Sequence, residues 1–318
     1  MSIPAALRLQ RLLVSANVAR SRRAADGLIS EGRVLLNGSR AALGARVDFS
    51  ARGGAPRVMV DGRAIHLSPP PAAPSPRVVA VNKPRGMVSA WGVSGPRVSP
   101  RATLDSLNLG GGLMHVGRLD ADSEGLLLIT NDGTLANKIA HPSTGPPKTY
   151  VLTVSPASSD APLMAALCAR LIEAGGVVLP ADERDGPAGF AAAAAARPAR
   201  ALAARHLSFD AAAAVLGGEP PRTAPDADYI ELVLSEGRKR LARRLVAACG
   251  WKVDRLVRSS VGPVRLAGLA SGESRELSAL EIAALLKSTT LARPPPKGGP
   301  KGASTNTMLP VKGDRGER

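Results

Sequence analysis

Only two cysteines, Cys168 and Cys249, occur among the 318 residues. Two thiols build neither a disulfide framework nor a zinc cluster, and both read as small core hydrophobes of a reducing compartment. Long apolar runs are missing as well: none approaches the roughly 20 residues that a membrane helix needs, so no membrane partner is expected. No apolar stretch precedes the first periodic segment, which predicts no secretory signal. The five arginines ahead of the first acid, Asp26, imitate an organellar transit peptide, yet they fit a folded module. The expected compartment is the cytoplasm, with an organelle left open for a eukaryotic source. Acidic side chains are scarce too: 26 Asp and Glu face 42 Lys and Arg, a formal net charge of +16. That surplus calls for a polyanion, and without a membrane span it favours nucleic acid.

What is present divides by composition. The length allows two modest domains with real cores plus linkers. Residues 1–66 are periodic and compact, and PPPAAPSP, within a linker at 67–77, is too proline-rich to join a helix or central strand. A second domain is expected over 78–290. Its strand-like runs VVAV, GLLLIT, TYVLTV and YIELVL are bounded by turn residues, and RKRLARRLVAAC reads as a helix. Between them, residues 181–226 turn to DGPAG, AAAAAA and GGEPPRTAP, a low-complexity surface insertion whose Ala-rich pieces can be helical. Residues 291–318 read as a basic, disordered Pro/Gly tail.

In the first module, Leu9, Leu12 and Leu13 share one helical face and Ala24, Ala25, Leu28 and Ile29 another. Gly32 ends the second helix, RVLLNG makes a strand, and Asn37-Gly38 is a hairpin turn. Residues 1–66 carry eleven arginines against four acids. Arg11, Arg22, Arg23 and Arg33 are candidates for one phosphate-binding face; the bland alternative is that they are merely solvated.

Residues 116–133, VGRLDADSEGLLLITNDG, look first like a calcium loop, with Asp120, Asp122, Glu124 and Gly125 spaced for an EF-hand. The twelfth position, which needs a bidentate Glu, is Asn131, and the residues after Gly125 read as a buried strand rather than a helix. No metal site is expected. Nor is there a GxxxxGK loop for nucleotide phosphates, and no cofactor is expected.

Two resemblances then give these segments meaning. Residues 7–38, with Ser21-Arg22-Arg23 and Gly32 to Gly38, resemble the S4 RNA-binding domain. The stretch GRLDADSEGLLLITNDG resembles the central motif of pseudouridine synthases, particularly the RsuA-like family that modifies ribosomal RNA. RVVAVNKPRGMVSA (77–90), IAHPSTGPPKTYVLTV (139–154) and residues 236–281 resemble that family's other motifs, in its order. The resemblance implies an α+β architecture: a small S4 (αL-type) module, then a catalytic domain built on a central mixed or antiparallel sheet. It implies a monomeric, cofactor-free enzyme that flips a uridine out of structured ribosomal RNA and isomerises it to pseudouridine.

The same resemblance implies the site residues. Asp120 matches the catalytic carboxylate, nucleophile or base, with Asp122 and Glu124 as second choices. Arg118 matches the residue that fills the space left by the base. Tyr150 matches the active-site tyrosine, and Arg243 the arginine that pairs with the aspartate. Lys83, on the lysine-proline turn, supports the substrate pocket or is a plain turn lysine. One departure is visible: Leu241-Ala242 stand where the family has Gln-Val before the arginine pair, which threatens a polar contact near the substrate. Together with the insertion, it motivates an alternative, an S4-type RNA-binding assembly factor without chemistry. The target uridine and ribosomal subunit stay open.

Overall fold

The computed structural model describes residues 6–19, 21–49, 56–67, 75–91, 103–109, 112–179, 198–218, 227–266 and 268–289. The chain separates into two compact units, residues 1–76 and 77–318. Much of the proline-rich linker and all of the expected basic tail lie outside the described residues.

In the first unit, β1 (Ala6–Arg8) leads into α1 (Leu9–Ser15), followed by α2 (Arg22–Ser30). The hydroxyl of Ser21 caps α2 by accepting the amide of Ala24 at 3.1 Å, satisfying a donor that the first turn leaves unpaired. The strands β2 (Val34–Leu36), β3 (Ser39–Arg40), β5 (Val58–Val60) and β6 (Arg63–Ile65) form one small antiparallel sheet in the order β3-β2-β5-β6. β4 (Arg46–Asp48) pairs with β1. The β2–β3 hairpin turns at Asn37-Gly38, both with positive φ, as a tight two-residue turn demands. Leu9, Leu12, Leu13, Ala25, Ile29, Val34 and Val58 fill the core, so the apolar faces read from the sequence are the ones buried.

The second unit is built on a mixed sheet of nine strands. In chain order its elements are β7 (Val78–Lys83), β8 (Met114–His115), β9 (Glu124–Thr130), α3 (Gly133–Ala140), β10 (Lys148–Pro156) and α4 (Met164–Ile172). There follow β11 (Ala203–Leu207), α5 (Phe209–Leu216), β12 (Asp228–Leu234), α6 (Leu241–Ala247), β13 (Trp251–Val261), β14 (Val264–Arg265), β15 (Ser274–Glu276) and α7 (Ala279–Ser288). The main order is β11-β12-β10-β13-β9-β7-β15, with β8 beside β9 and β14 beside β13. Neighbours run antiparallel among the described residues, except β13 with β9. That parallel contact is brief, Val257 with Glu124 and Arg258 with Gly125, and lies at the middle of the sheet. Alternate residues of the strands feed opposite faces. Val78, Ala80, Leu126, Leu128 and Val257 pack on one side, and Val79, Val81, Leu127 and Ile129 on the other.

Two expectations need correction. The segment 181–226 is not wholly a surface insertion. Residues 203–207 form β11, hydrogen-bonded along β12, and α5 follows it. Ala199, Ala201 and Ala212 are buried, because a methyl side chain lets backbone pack closely; alanine-rich composition is compatible with core as well as with coil. Residues 180–197 and 219–226 lie outside the described residues. The helix expected from Arg238 onward begins only at Leu241, since Arg240 adopts a left-handed backbone with φ 51° and interrupts it.

Candidate active site

The turn from Gly117 to Ser123 links β8 to β9, and backbone bonds hold it in place. Gly117 takes φ 69°, a conformation glycine reaches without steric cost. The amide of Ser123 donates to the Asp120 carbonyl at 3.0 Å, closing the turn. Buried Ser89 grips the turn from outside: its hydroxyl donates to the Leu119 carbonyl at 2.8 Å and accepts the Leu119 amide at 3.1 Å. Gly86 adds a bond from its amide to the Ala121 carbonyl at 2.7 Å. The segment 83–90 is thus the bracket of the Asp120 turn. Beyond it, Glu124 onward is strand, not the helix that a calcium hand requires.

Lys83 organises that bracket from below. Its side chain is fully buried, which suits a residue that supports the pocket from within better than an exposed turn lysine. The ammonium donates instead to the carbonyls of Pro84, at 3.0 Å, and Met87, at 2.8 Å. Burial pulls its pKa down to about 8, opposed by the charges of Glu124, Asp122 and Asp120.

Asp120 and Arg243 are near neighbours but not a hydrogen-bonded pair. Among the described residues the half-buried Asp120 carboxylate makes no hydrogen bond or ion pair, although its charge is felt by both Arg243 and Lys83. Arg243 projects from α6, which buries Leu241, Ala242, Leu245 and Val246 in the core. Its Nη1 donates to the Val253 carbonyl at 2.9 Å and its Nη2 to the main-chain carbonyl of Asp122 at 3.1 Å. Burial lowers its pKa, Asp122 and Asp120 opposing this, while Arg240 and Arg85 reinforce it. The pairing expected for Asp120 is therefore made by Asp122, which also accepts Arg240 Nη1 at 2.9 Å.

Tyr150, half-buried on β10, packs against apolar clusters on both sides of the site. It stands in register with Arg258 of β13, which pairs with Gly125 of β9, which pairs with Lys83 of β7. This row across the sheet places the tyrosine level with the start of β9, just after the Asp120 turn and two strands away. Arg258 is almost fully buried, and its Nε donates to the Leu126 carbonyl at 2.6 Å where the two strands part. Arg118 is exposed beside Asp120 in the turn. Beside α6 a cleft of about 600 Å³ is lined by Arg240, Arg243, Ser155, Trp251 and Lys252.

Sequence reasoning did not single out Ser89, Arg240 or Arg85. Arg240 lay inside a visible cluster of basic residues, but nothing in its spacing announced the left-handed backbone that turns it toward Asp122. The Leu241 departure proves to be a core position: the side chain is buried among Leu152, Leu232 and Leu245.

In the first unit, Arg11, Arg22 and Arg23 are exposed and make no ion pair among the described residues. Arg22 and Arg23 occupy the first turn of α2, where the helix dipole disfavours cations. Arg33 differs: its guanidinium forks onto Asp61 with two bonds of 2.7 Å and reaches Glu31 at 3.0 Å. Its charge is already met by two carboxylates, unlike those of the other three arginines.

Comparison with known proteins bears on both units. A family model described as RNA pseudouridylate synthase matches residues 77–248, and the S4 domain model matches residues 7–52. An uncharacterised RNA pseudouridine synthase of Mycobacterium tuberculosis is 35% identical over 293 residues, 91% of this chain and 96% of its own. Ribosomal large subunit pseudouridine synthase B of Bacillus subtilis is 31% identical over 276 residues, 86% of this chain and 93% of its own. Ribosomal large subunit pseudouridine synthase E of Xanthomonas campestris is 37% identical over 202 residues, 62% of this chain and 94% of its own.

Proposed function

We propose that this chain, which belongs to the RNA pseudouridylate synthase family, isomerises a uridine of ribosomal RNA to pseudouridine, with Asp120 as the reacting carboxylate. The observation that carries the assignment of Asp120 is its setting. A carboxylate with no partner of its own among the described residues sits on a turn pinned by Ser89 and Gly86, within electrostatic reach of Arg243. The names of the Bacillus and Xanthomonas relatives favour large-subunit RNA as the first target to test.

The reaction breaks the C1′–N1 bond, turns the uracil and joins C1′ to C5; the proton lost from C5 is balanced by one gained at N1. Taking the uridine out of its stack costs a few kcal/mol, and exposed Arg118 fills the gap it leaves. Asp120 meets the sugar, either attacking C1′ or removing a C2′ proton. Arg243 supplies positive charge beside that carboxylate. Tyr150 stacks on the uracil and offers its hydroxyl for the proton movement at C5. The exposed Arg11, Arg22 and Arg23 of the S4 module hold the RNA through phosphate contacts, which position the substrate without reading bases.

A monomeric enzyme of the cytoplasm is part of the same proposal; light scattering and fractionation check both. The alternative of a binder without chemistry is not favoured, because the chain carries the synthase region itself. The decisive test is carbodiimide primer extension across ribosomal RNA from cells with the wild-type gene, a deletion, and Asp120→Ala. One stop is expected to vanish in both altered strains. Its persistence in Asp120→Ala would remove Asp120 from the chemistry.

A further inference from the structure

The Asp120 turn carries two carboxylates with opposite surroundings. Asp120 has no direct partner among the described residues, whereas Asp122 is engaged by two arginines. Arg240 Nη1 donates to Asp122 Oδ2 at 2.9 Å, and Arg243 approaches the same oxygen with its Nε at 3.8 Å while its Nη2 holds the Asp122 carbonyl at 3.1 Å. Both guanidiniums are largely withdrawn from water, with side chains 15% and 12% exposed. They repel one another, since Arg240 lowers the pKa of Arg243. The backbone of Arg240 is left-handed, an uncommon state for a residue with a Cβ, and it is this conformation that delays the start of the helix to Leu241. Two desolvated like charges and an unfavourable backbone persist together only if something between them repays the cost. Asp122 is the carboxylate bonded to Arg240 and facing Arg243.

We propose that Asp122 is a positioning residue of the reaction: by holding Arg240 and Arg243 together it sets Arg243 beside the Asp120 carboxylate rather than on it. This rests on the reading that Asp120 reacts. An arginine bonded directly to Asp120 would cover the oxygen that must reach the sugar; one anchored to Asp122 leaves that oxygen open while its charge is still felt. The Nε–H of Arg243, buried and without a hydrogen-bond acceptor, marks the arginine as held by its two ends. The two aspartates are therefore not interchangeable candidates for the chemistry.

The test measures kcat and KM on a ribosomal RNA fragment for the wild type, Asp122→Asn, Asp122→Glu, Arg240→Ala and the Asp122→Asn/Arg240→Ala double variant, with thermal unfolding beside each. Misplacing Arg243 by an ångström is expected to lower kcat by about 10- to 100-fold in Asp122→Asn, KM staying within about threefold. Asp122→Glu should recover part of the rate. The double variant should lose little beyond Asp122→Asn, because both changes break one unit. Where Asp122→Asn does not fold, Arg240→Ala decides: a lowered kcat at unchanged KM and unchanged melting supports the role. Full activity in a folded Asp122→Asn, a loss confined to KM, or additive losses would each overturn it. Inactivity of the wild type on every RNA would instead strike the enzymatic reading itself.

Discussion

Replacing Gly125 by alanine puts the parallel contact at the centre of the sheet under test. The residue has φ +97°, and a Cβ built on it would stand 2.4 Å from the Arg258 carbonyl oxygen, 2.7 Å from the Arg258 amide nitrogen and 2.9 Å from Val257 Cγ1. Two of those atoms are backbone of β13, so no rotamer change relieves the overlap; the strands must separate. Backbone strain costs about 1–3 kcal/mol, and overpacking another 1–3, so the loss is about 2–6 kcal/mol. A domain of this size shifts its melting point by about 2–4 °C per kcal/mol, which predicts a fall of roughly 4–24 °C. Both tryptophans, Trp91 and Trp251, lie in the second unit, so their fluorescence follows this unfolding without signal from the first. Gly117→Ala is the internal control: φ is +69° but nothing lies within 4 Å of its added Cβ. It should show the strain alone, about 1 kcal/mol or slightly more. A Gly125→Ala protein that melts with Gly117→Ala would refute the close approach of β9 and β13.

Two further outcomes follow from the charges. Lys83 has a folded-state pKa of about 8 against an unfolded 10.5, so the unfolded chain binds the extra proton between those values and the amine's penalty on stability is relieved as pH rises. Relative to Lys83→Met, the wild type should gain up to roughly 3 kcal/mol in urea unfolding between pH 8 and pH 10.5; a flat difference would show that the amine is not held charged and desolvated. The Arg22→Ala/Arg23→Ala variant should reduce the slope of log affinity against log salt for RNA by about 1.5, with the greatest loss at low salt. Arg33→Ala, whose charge is already met by Asp61 and Glu31, should leave that slope unchanged in the same filter-binding series.

Strong local signals were legible in the amino-acid sequence. The leucine spacing of 9–13, the Asn37-Gly38 turn and the apolar run 126–129 each state one structure, because burial and φ requirements leave little choice. The placement of Asp120 beside Arg243 was also legible, but only through resemblance; nothing local brings residue 243 to a turn at 117–123. The partner of Arg243 was misjudged for a physical reason. Asp120 and Asp122 are both carboxylates on one turn, and which of them meets the guanidinium depends on the left-handed backbone of Arg240, a long-range compromise that composition does not encode. The alanines of 199–212 were equally ambiguous, since only the exposed edge of β12 tells whether such a segment pairs. Lys83 read either as a support of the pocket or as a plain turn lysine, and its burial follows from the 84–87 loop folding back so that its ammonium meets the Pro84 and Met87 carbonyls.

A reactive carboxylate poses a conflict that the Asp120 turn resolves. A side chain fixed by its own hydrogen bonds is well placed but already spent, because those bonds must break before it meets a substrate. A free side chain is available but badly placed. Here the fixing is done by main chain and neighbours: Ser89 holds residue 119 from both sides, Gly86 holds residue 121, and Asp122 and Glu124 absorb the arginines that crowd the site. Among the described residues these bonds reach the main chain around Asp120 and its acidic neighbours but not its carboxylate. The rigidity that a precise site needs is thereby supplied around the carboxylate and not through it. In a chain with a net charge of +16, an unscreened aspartate would ordinarily collect an arginine of its own. Two acids at the same strand entry, Asp122 with Arg240 and Arg243 and Glu124 with Arg255, are the means by which this fold keeps one oxygen pair open.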